Sequence, residues 1–252
     1  RIEAVEGQSG QDVAKAWKEM VHRYAASTLG LAIVGIFLLS VFGKTGQSQS
    51  IKLPAFLLLL VGFQGLLGMW TVTEQVHPGI VTAHLLGGFS TTALVFWLLL
   101  NQRPPDINID KVSKSDKVLL VAVIVLLIFQ VVLGGWTSTN YAALSCGEYF
   151  PTCLGQMWPD HMDFNKAFYW GPLGIDYEFG VLESETRGAI QMAHRIGALV
   201  VTSAILALSF VYRKYPSLKK ALFVILSLLS LQVVFGIINV VMSLPMFAAV
   251  MH

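Results

Sequence analysis

Two short runs hold the residues with the most chemistry to offer. Glu19-Met20-Val21-His22-Arg23 and Gln191-Met192-Ala193-His194-Arg195 each set a His-Arg pair near the start of a long apolar stretch. Residues three apart on a helix share a face, so position 19 belongs with His22 and position 191 with His194. The first run sets a carboxylate beside its histidine, the second an amide. His84 and His252 also lie near the starts of apolar stretches. Neutral imidazoles ligate haem iron, and two from facing helices hold a six-coordinate b-type haem inside a bundle. A histidine without a partner in lipid is costly, so the four are read as two pairs of ligands to haem iron. Zinc fits less well, because neither half supplies a compact set of three or four ligands.

The neighbours of these histidines have an ordinary and a functional reading. Arg23 and Arg195 could snorkel to the membrane surface, or use their forked donors to pair with haem propionates. Glu19 could be an interfacial charge favoured at a helix start. Its place beside His22 favours a role in reaction, with Gln191 marking a site that only carries electrons. Trp17, Trp70, Trp136 and Trp158 read as membrane-belt residues. His77 and His161 fall in loops and read as ordinary histidines.

The elements that must position these residues are membrane spans. Hydrophobic residues make up 55% of the 252, and charged residues 13%, with a mean hydropathy of +0.65. A soluble domain has about a quarter of its residues charged, so the bilayer is the expected solvent. The net charge of +2 is too small to imply a nucleic-acid partner, and no basic run suggests one. Spans are expected at about 20–42, 53–73, 80–100, 118–136, 188–212 and 221–242, with another beginning near Pro245. Each complete span approaches the roughly 20 residues that cross a bilayer. Residues 1–16 read as an external loop. A chain starting at Arg1 and ending in an apolar run reads as part of a longer protein.

Loop charge sets the orientation. Lys44, Lys52, Arg103, Lys111, Lys114, Lys117, Arg213, Lys214, Lys219 and Lys220 fall in one set of turns, and most acids fall in the other. The basic set is then cytoplasmic. The loop at about 137–186, which holds Cys146 and Cys153, faces outward, where disulfides persist. A structural disulfide is expected if the loop turns at Pro151; free thiols or a redox-active pair are the alternatives. In this topology His22, His84, His194 and His252 lie at similar depth.

The second half repeats the first. A shift of 172 takes Glu19–Arg23 onto Gln191–Arg195, and a shift of 168 takes Gln64, Gly68 and His84 onto Gln232, Gly236 and His252. Gln-x-x-x-Gly recurs at Gln130 and Gly134. The expected fold is an all-α polytopic membrane protein of two pseudo-symmetric four-helix bundles, with the first helix and most of the last helix missing from this chain. The N-terminal half-bundle is 1–105 and the C-terminal one 106–252.

These same residues carry a family resemblance. Glu19-Met20-Val21-His22-Arg23-Tyr24-Ala25, Gly68-Met69-Trp70-Thr71-Val72-Thr73 leading to His84-Leu85, Thr139-Asn140 before Cys146, and Gln191–Arg195 resemble haem A synthases, in particular the proteobacterial form with a short cysteine loop. The resemblance implies a bacterial inner-membrane enzyme of terminal-oxidase assembly that oxidises a ring methyl of haem O to a formyl group, giving haem A. It places the substrate haem between His22 and His84, haem b between His194 and His252, and a catalytic acid at Glu19. It also implies a Cys146–Cys153 disulfide on the periplasmic side. As partners it suggests haem O synthase, cytochrome oxidase assembly factors and a second copy of the chain. Without the resemblance, a di-haem b-type cytochrome anchoring quinone-linked electron transfer explains the histidines equally well, and a haem transporter less well.

Overall fold

The computed structural model describes residues 2–43, 50–102 and 112–252, with residues 2–12, 14 and 15 as backbone alone. The described chain is helical: α1 (Ile2–Phe42), α2 (Lys52–Thr73), α3 (Pro78–Gln102), α4 (Lys114–Thr139), α5 (Ser184–Tyr212), α6 (Lys219–Val241) and α7 (Met246–Met251). Six segments are long and apolar enough to cross a membrane, namely Ala16–Phe42, α2 to α5, and Pro216–Val241. Leu31, Leu59 and Phe223 stand exposed on their helices, which is untenable in water over so wide an apolar surface and ordinary in lipid. The protein is an all-α, multi-pass membrane protein.

The N-terminal stretch differs from expectation. Residues 2–16 continue α1 and do not form a loop. No proline interrupts them, Ala, Glu, Gln and Lys are good helix formers, and extending a nucleated helix closes one hydrogen bond per residue. Lys44, Arg103 and Lys111 lie outside the described residues.

Two compact units can be separated, residues 1–66 with 87–103, and residues 67–86 with 104–252. In the first, Ile33 of α1 and Leu57 of α2 are fully buried, and a Cβ on Gly30 would meet Val61 at ordinary contact distance, 3.6 Å. In the second, α4 and α5 pack along their length through Val123, Val201, Ile205, Leu208 and Tyr212. A polar clamp closes one end of this pair. Ser113 caps α4 by accepting from the Asp116 amide, Tyr215 donates to the Asp116 carboxylate at 2.5 Å, and Tyr212 donates to the Asp116 carbonyl at 2.9 Å. Lys214 pairs with the same carboxylate at 2.8 Å, and that hydrogen bond holds its ammonium above the usual lysine range.

At the other end of α4 and α5 lies the cysteine loop, residues 140–183. Trp136 is buried beneath it, packs with Ala142, Ala167, Ala189 and Ile190, and donates from Nε1 to the Ala167 carbonyl at 2.8 Å. The sequence reading placed Trp136 in the membrane belt; the structure corrects this, because the indole N–H finds its partner in the folded loop. His77 is likewise buried, between Trp170 and Tyr177, and its Nδ1 accepts from the Gly79 amide. It anchors the loop to the α2–α3 turn, where the Tyr177 amide also donates to the Gln75 carbonyl. Burial pushes the Tyr177 phenol above its usual range.

The repeat extends to backbone geometry. After α2, Gln75 and Val76 both take positive φ, and the amide of Val76 closes on the Thr71 carbonyl at 2.9 Å. After α6, Ser243 and Leu244 do the same, and Leu244 closes on Asn239 at 2.8 Å. After α4, Tyr141 has positive φ and Ala142 closes on Thr137 at 2.9 Å. Positive φ is unfavourable for a β-branched residue such as Val76. The same strained turn thus closes all three helices: after α2 and α6 it leads directly into the next helix, and after α4 it opens the cysteine loop.

Candidate functional site

The best-formed site is built by α4, α5, α6 and α7. His194 of α5 and His252 at the end of α7 face each other with ring centroids 6.3 Å apart and planes at 81°. Two imidazoles on opposite sides of one metal, each with a metal–nitrogen bond of about 2 Å, hold their ring centres about 6 Å apart. The observed pair would therefore have room to hold a haem iron between its rings. His252 Nδ1 lies 3.0 Å from the Gln232 backbone carbonyl. A carbonyl only accepts, so Nδ1 carries the hydrogen and Nε2 keeps the lone pair that a metal needs.

Each ring rests on a glycine of the preceding helix. A Cβ on Gly134 would stand 3.2 Å from His194 Cε1, and one on Gly236 would stand 2.9 Å from His252 Cε1. The same contact recurs between Gly68 and His84, at 3.3 Å. These glycines are therefore sockets for the imidazoles as well as close-packing residues.

Arg195 supports the haem reading from the side. Its Nη1 donates to the Thr152 carbonyl at 2.7 Å and to the Pro151 carbonyl at 3.3 Å, tying the cysteine loop to α5. Its Nε and Nη2 are buried with no hydrogen-bond partner. Buried guanidinium donors left open beside a ligand histidine suit an anionic propionate. Paired imidazoles, glycine sockets and open cationic donors together fit a haem.

Gln191 has a different role from the one its sequence position suggests. It is buried, at 3% exposure. Its Oε1 accepts from the Cys146 amide at 2.7 Å, and its Nε2 donates to the Ala143 carbonyl at 2.5 Å. The side chain latches the cysteine loop onto α5 and needs both a donor and an acceptor, of which a carboxylate supplies only the acceptor. The latch lies beside the Cys146–Cys153 disulfide, whose Cα atoms are 4.4 Å apart and whose two residues cluster with Met192.

The N-terminal candidates are placed more simply. His22 is exposed on α1 and His84 is half-buried on α3. Glu19 forms an ion pair with Arg23 at 2.5 Å, one turn apart, and both are exposed. His161 is exposed in the loop. Among the described residues no cluster of three or more His, Cys, Asp or Glu could hold a bare metal ion.

Sequence reasoning missed Gln130, whose amide nitrogen lies 3.0 Å from His194 Nδ1 and donates to the His194 carbonyl at 3.0 Å. The threefold Gln-x-x-x-Gly pattern was the signal for it.

Known proteins resemble this chain along most of its length. Residues 4–252 match the model of the COX15-CtaA family, described as cytochrome oxidase assembly protein. The chain is 44% identical over 241 residues to a heme A synthase of Shewanella oneidensis, covering 94% of this chain and 71% of that protein. It is 28% identical to a heme A synthase of Agrobacterium fabrum, covering 94% of this chain and 64% of that protein. A heme A synthase of Flavobacterium psychrophilum is 22% identical, covering 93% and 68%. With its helical membrane fold and residues 4–252 matched, the chain belongs to the COX15-CtaA family of cytochrome oxidase assembly proteins.

Proposed function

We propose that this protein is a haem A synthase, an oxidoreductase that converts a ring methyl of haem O to a formyl group through a hydroxymethyl stage. The observation that carries the reading is the 44% identity to the Shewanella protein across 94% of the chain. The chain spans 64–71% of the length of the two most similar relatives described above, so the activity is proposed for the full-length protein. It acts in the bacterial inner membrane, with the cysteine loop on the periplasmic side. Haem O synthase, oxidase assembly factors and a second copy of the chain are its partners.

In this reading residues 1–105 hold the substrate haem O between His22 and His84, and residues 106–252 hold haem b between His194 and His252. Haem b supplies one-electron transfer when bound. His194 and His252 offer their Nε2 atoms as ligands. Arg195 offers Nε and Nη2 to a propionate, and Arg23 does the same at the substrate site. A propionate that takes over Arg23 leaves the Glu19 carboxylate to accept a proton or stabilise positive charge beside the reacting methyl. The histidine pair and Gly134 and Gly236 suit a di-haem cytochrome equally well, so the reaction itself has to be tested. Haems extracted from the full-length protein and separated by chromatography should contain haem B together with haem O or haem A. Haem B alone would point to the cytochrome. His194→Leu and His252→Leu should each remove a low-spin b-type spectrum while membrane insertion is kept.

A further inference from the structure

We propose that Gln130 is a positioning residue for haem ligation by His194, an inference that rests on the haem b reading above. It starts from a reciprocal arrangement of two glycines. Gly134 lies beneath the His194 ring, and Gly197, one turn after His194, lies beneath the Gln130 amide, where an added Cβ would collide with Gln130 Oε1. Each helix therefore gives up a side chain so that the other can insert a polar group. The pattern recurs on α2 and α3, where a Cβ on Gly87 would collide with the Gln64 amide and Gly68 faces His84. Simple helix packing needs small residues, but it does not require a glutamine opposite each of these two glycines.

Gln130 has the chemistry to set the ring. The amide nitrogen reaches both His194 Nδ1 and the His194 carbonyl at 3.0 Å, while its Oε1 is buried with no partner. Donating to Nδ1 holds the imidazole with its hydrogen on Nε2. Ligation through Nε2 requires that hydrogen at Nδ1, and a half-turn of the carboxamide then presents the idle Oε1 to Nδ1–H. A carboxamide serves both tautomers, whereas leucine serves neither and a carboxylate only the second. At His252 the equivalent Nδ1 partner is a backbone carbonyl, so its tautomer is settled by the fold. At His194 it depends on a side chain. A hydrogen bond accepted from Nδ1–H also makes the imidazole a stronger donor to iron, which favours the ferric state.

The test uses full-length protein purified with its haem. Gln130→Leu should lose haem b to an apomyoglobin acceptor about tenfold faster, the lower range for removing such a partner, and should shift the midpoint potential of the remaining haem upward. Gln130→Glu should retain haem b and shift the potential downward. His194→Leu separates the two levels of inference. If that variant keeps its low-spin spectrum, the ligand assignment fails; if it loses the spectrum while both Gln130 variants keep the wild-type potential, only the proposal for Gln130 fails. A purely structural glutamine would change haem retention and leave the potential unmoved. Loss of haem from Gln130→Glu would also overturn the proposal, because its carboxylate can accept from Nδ1–H.

Discussion

Replacing Gln191 by leucine should release the cysteine loop from α5, and the size of the effect follows from what the amide holds. The Cys146 amide is fully buried and donates to Gln191 Oε1 at 2.7 Å. Ser145 Oγ lies 3.3 Å from Gln191 Oε1 but contributes little to the sum, because its one hydroxyl proton is donated to the Ala142 carbonyl at 2.6 Å. Ala143 is half-buried, so water can replace part of what its carbonyl loses. The main cost is one buried N–H left without a partner, about 1–3 kcal/mol. At about 2 kcal/mol the population of the open loop rises about 30-fold, since 1.4 kcal/mol is tenfold. Amide hydrogen exchange reads this population directly. In detergent, a peptide spanning residues 142–149 should exchange about 30-fold faster in Gln191→Leu, while peptides from the middle of α5 stay protected. Gln191→Glu should give a smaller increase, because a carboxylate still accepts from Cys146 but cannot donate to Ala143. Exchange at Cys146 within about twofold of wild type in Gln191→Leu would refute the latch.

Three further perturbations test other parts of the reading. Glu19→Gln in the full-length protein should keep haem binding and cut haem A per enzyme by at least about tenfold, on the order of 1.4 kcal/mol of barrier; wild-type output would make Glu19 an interfacial partner of Arg23 only. Gly236→Ala would set a methyl 2.9 Å from His252 Cε1 and should lower haem b content, whereas Gly62→Ala, with nothing within 4 Å, should not; equal content in both would remove the socket argument. Burial raises the Tyr177 phenol above its ordinary 10.0, so the unfolded state loses this proton first. The resulting stabilisation is complete below about pH 10 and is lost as pH rises through the folded value. Proteolysis of the loop should accelerate in that range, and Tyr177→Phe should flatten the dependence; an equally steep rise in that variant would exclude Tyr177 as its source.

Composition and periodicity were enough for the class of fold, because runs of about 20 apolar residues have one main use and their number and order do not depend on how they pack. The helical spans and the cysteine pair that forms the disulfide were legible on those grounds. The internal repeat was legible too, and the turns after α2, α4 and α6 carry it into the backbone. What sequence could not supply was the partner of each polar side chain. Gln191 looked like the inert counterpart of Glu19 because both precede a histidine by three residues, yet its contacts are with a loop more than 40 residues away. Trp136 looked like a belt residue because it ends an apolar run, and only the folded loop brings the Ala167 carbonyl to its indole. Glycine four residues after glutamine read as close packing; only the structure set an imidazole above each one. Spacing along a helix determines which face a residue occupies, but the partner waiting there comes from another segment, and tertiary structure alone decides it.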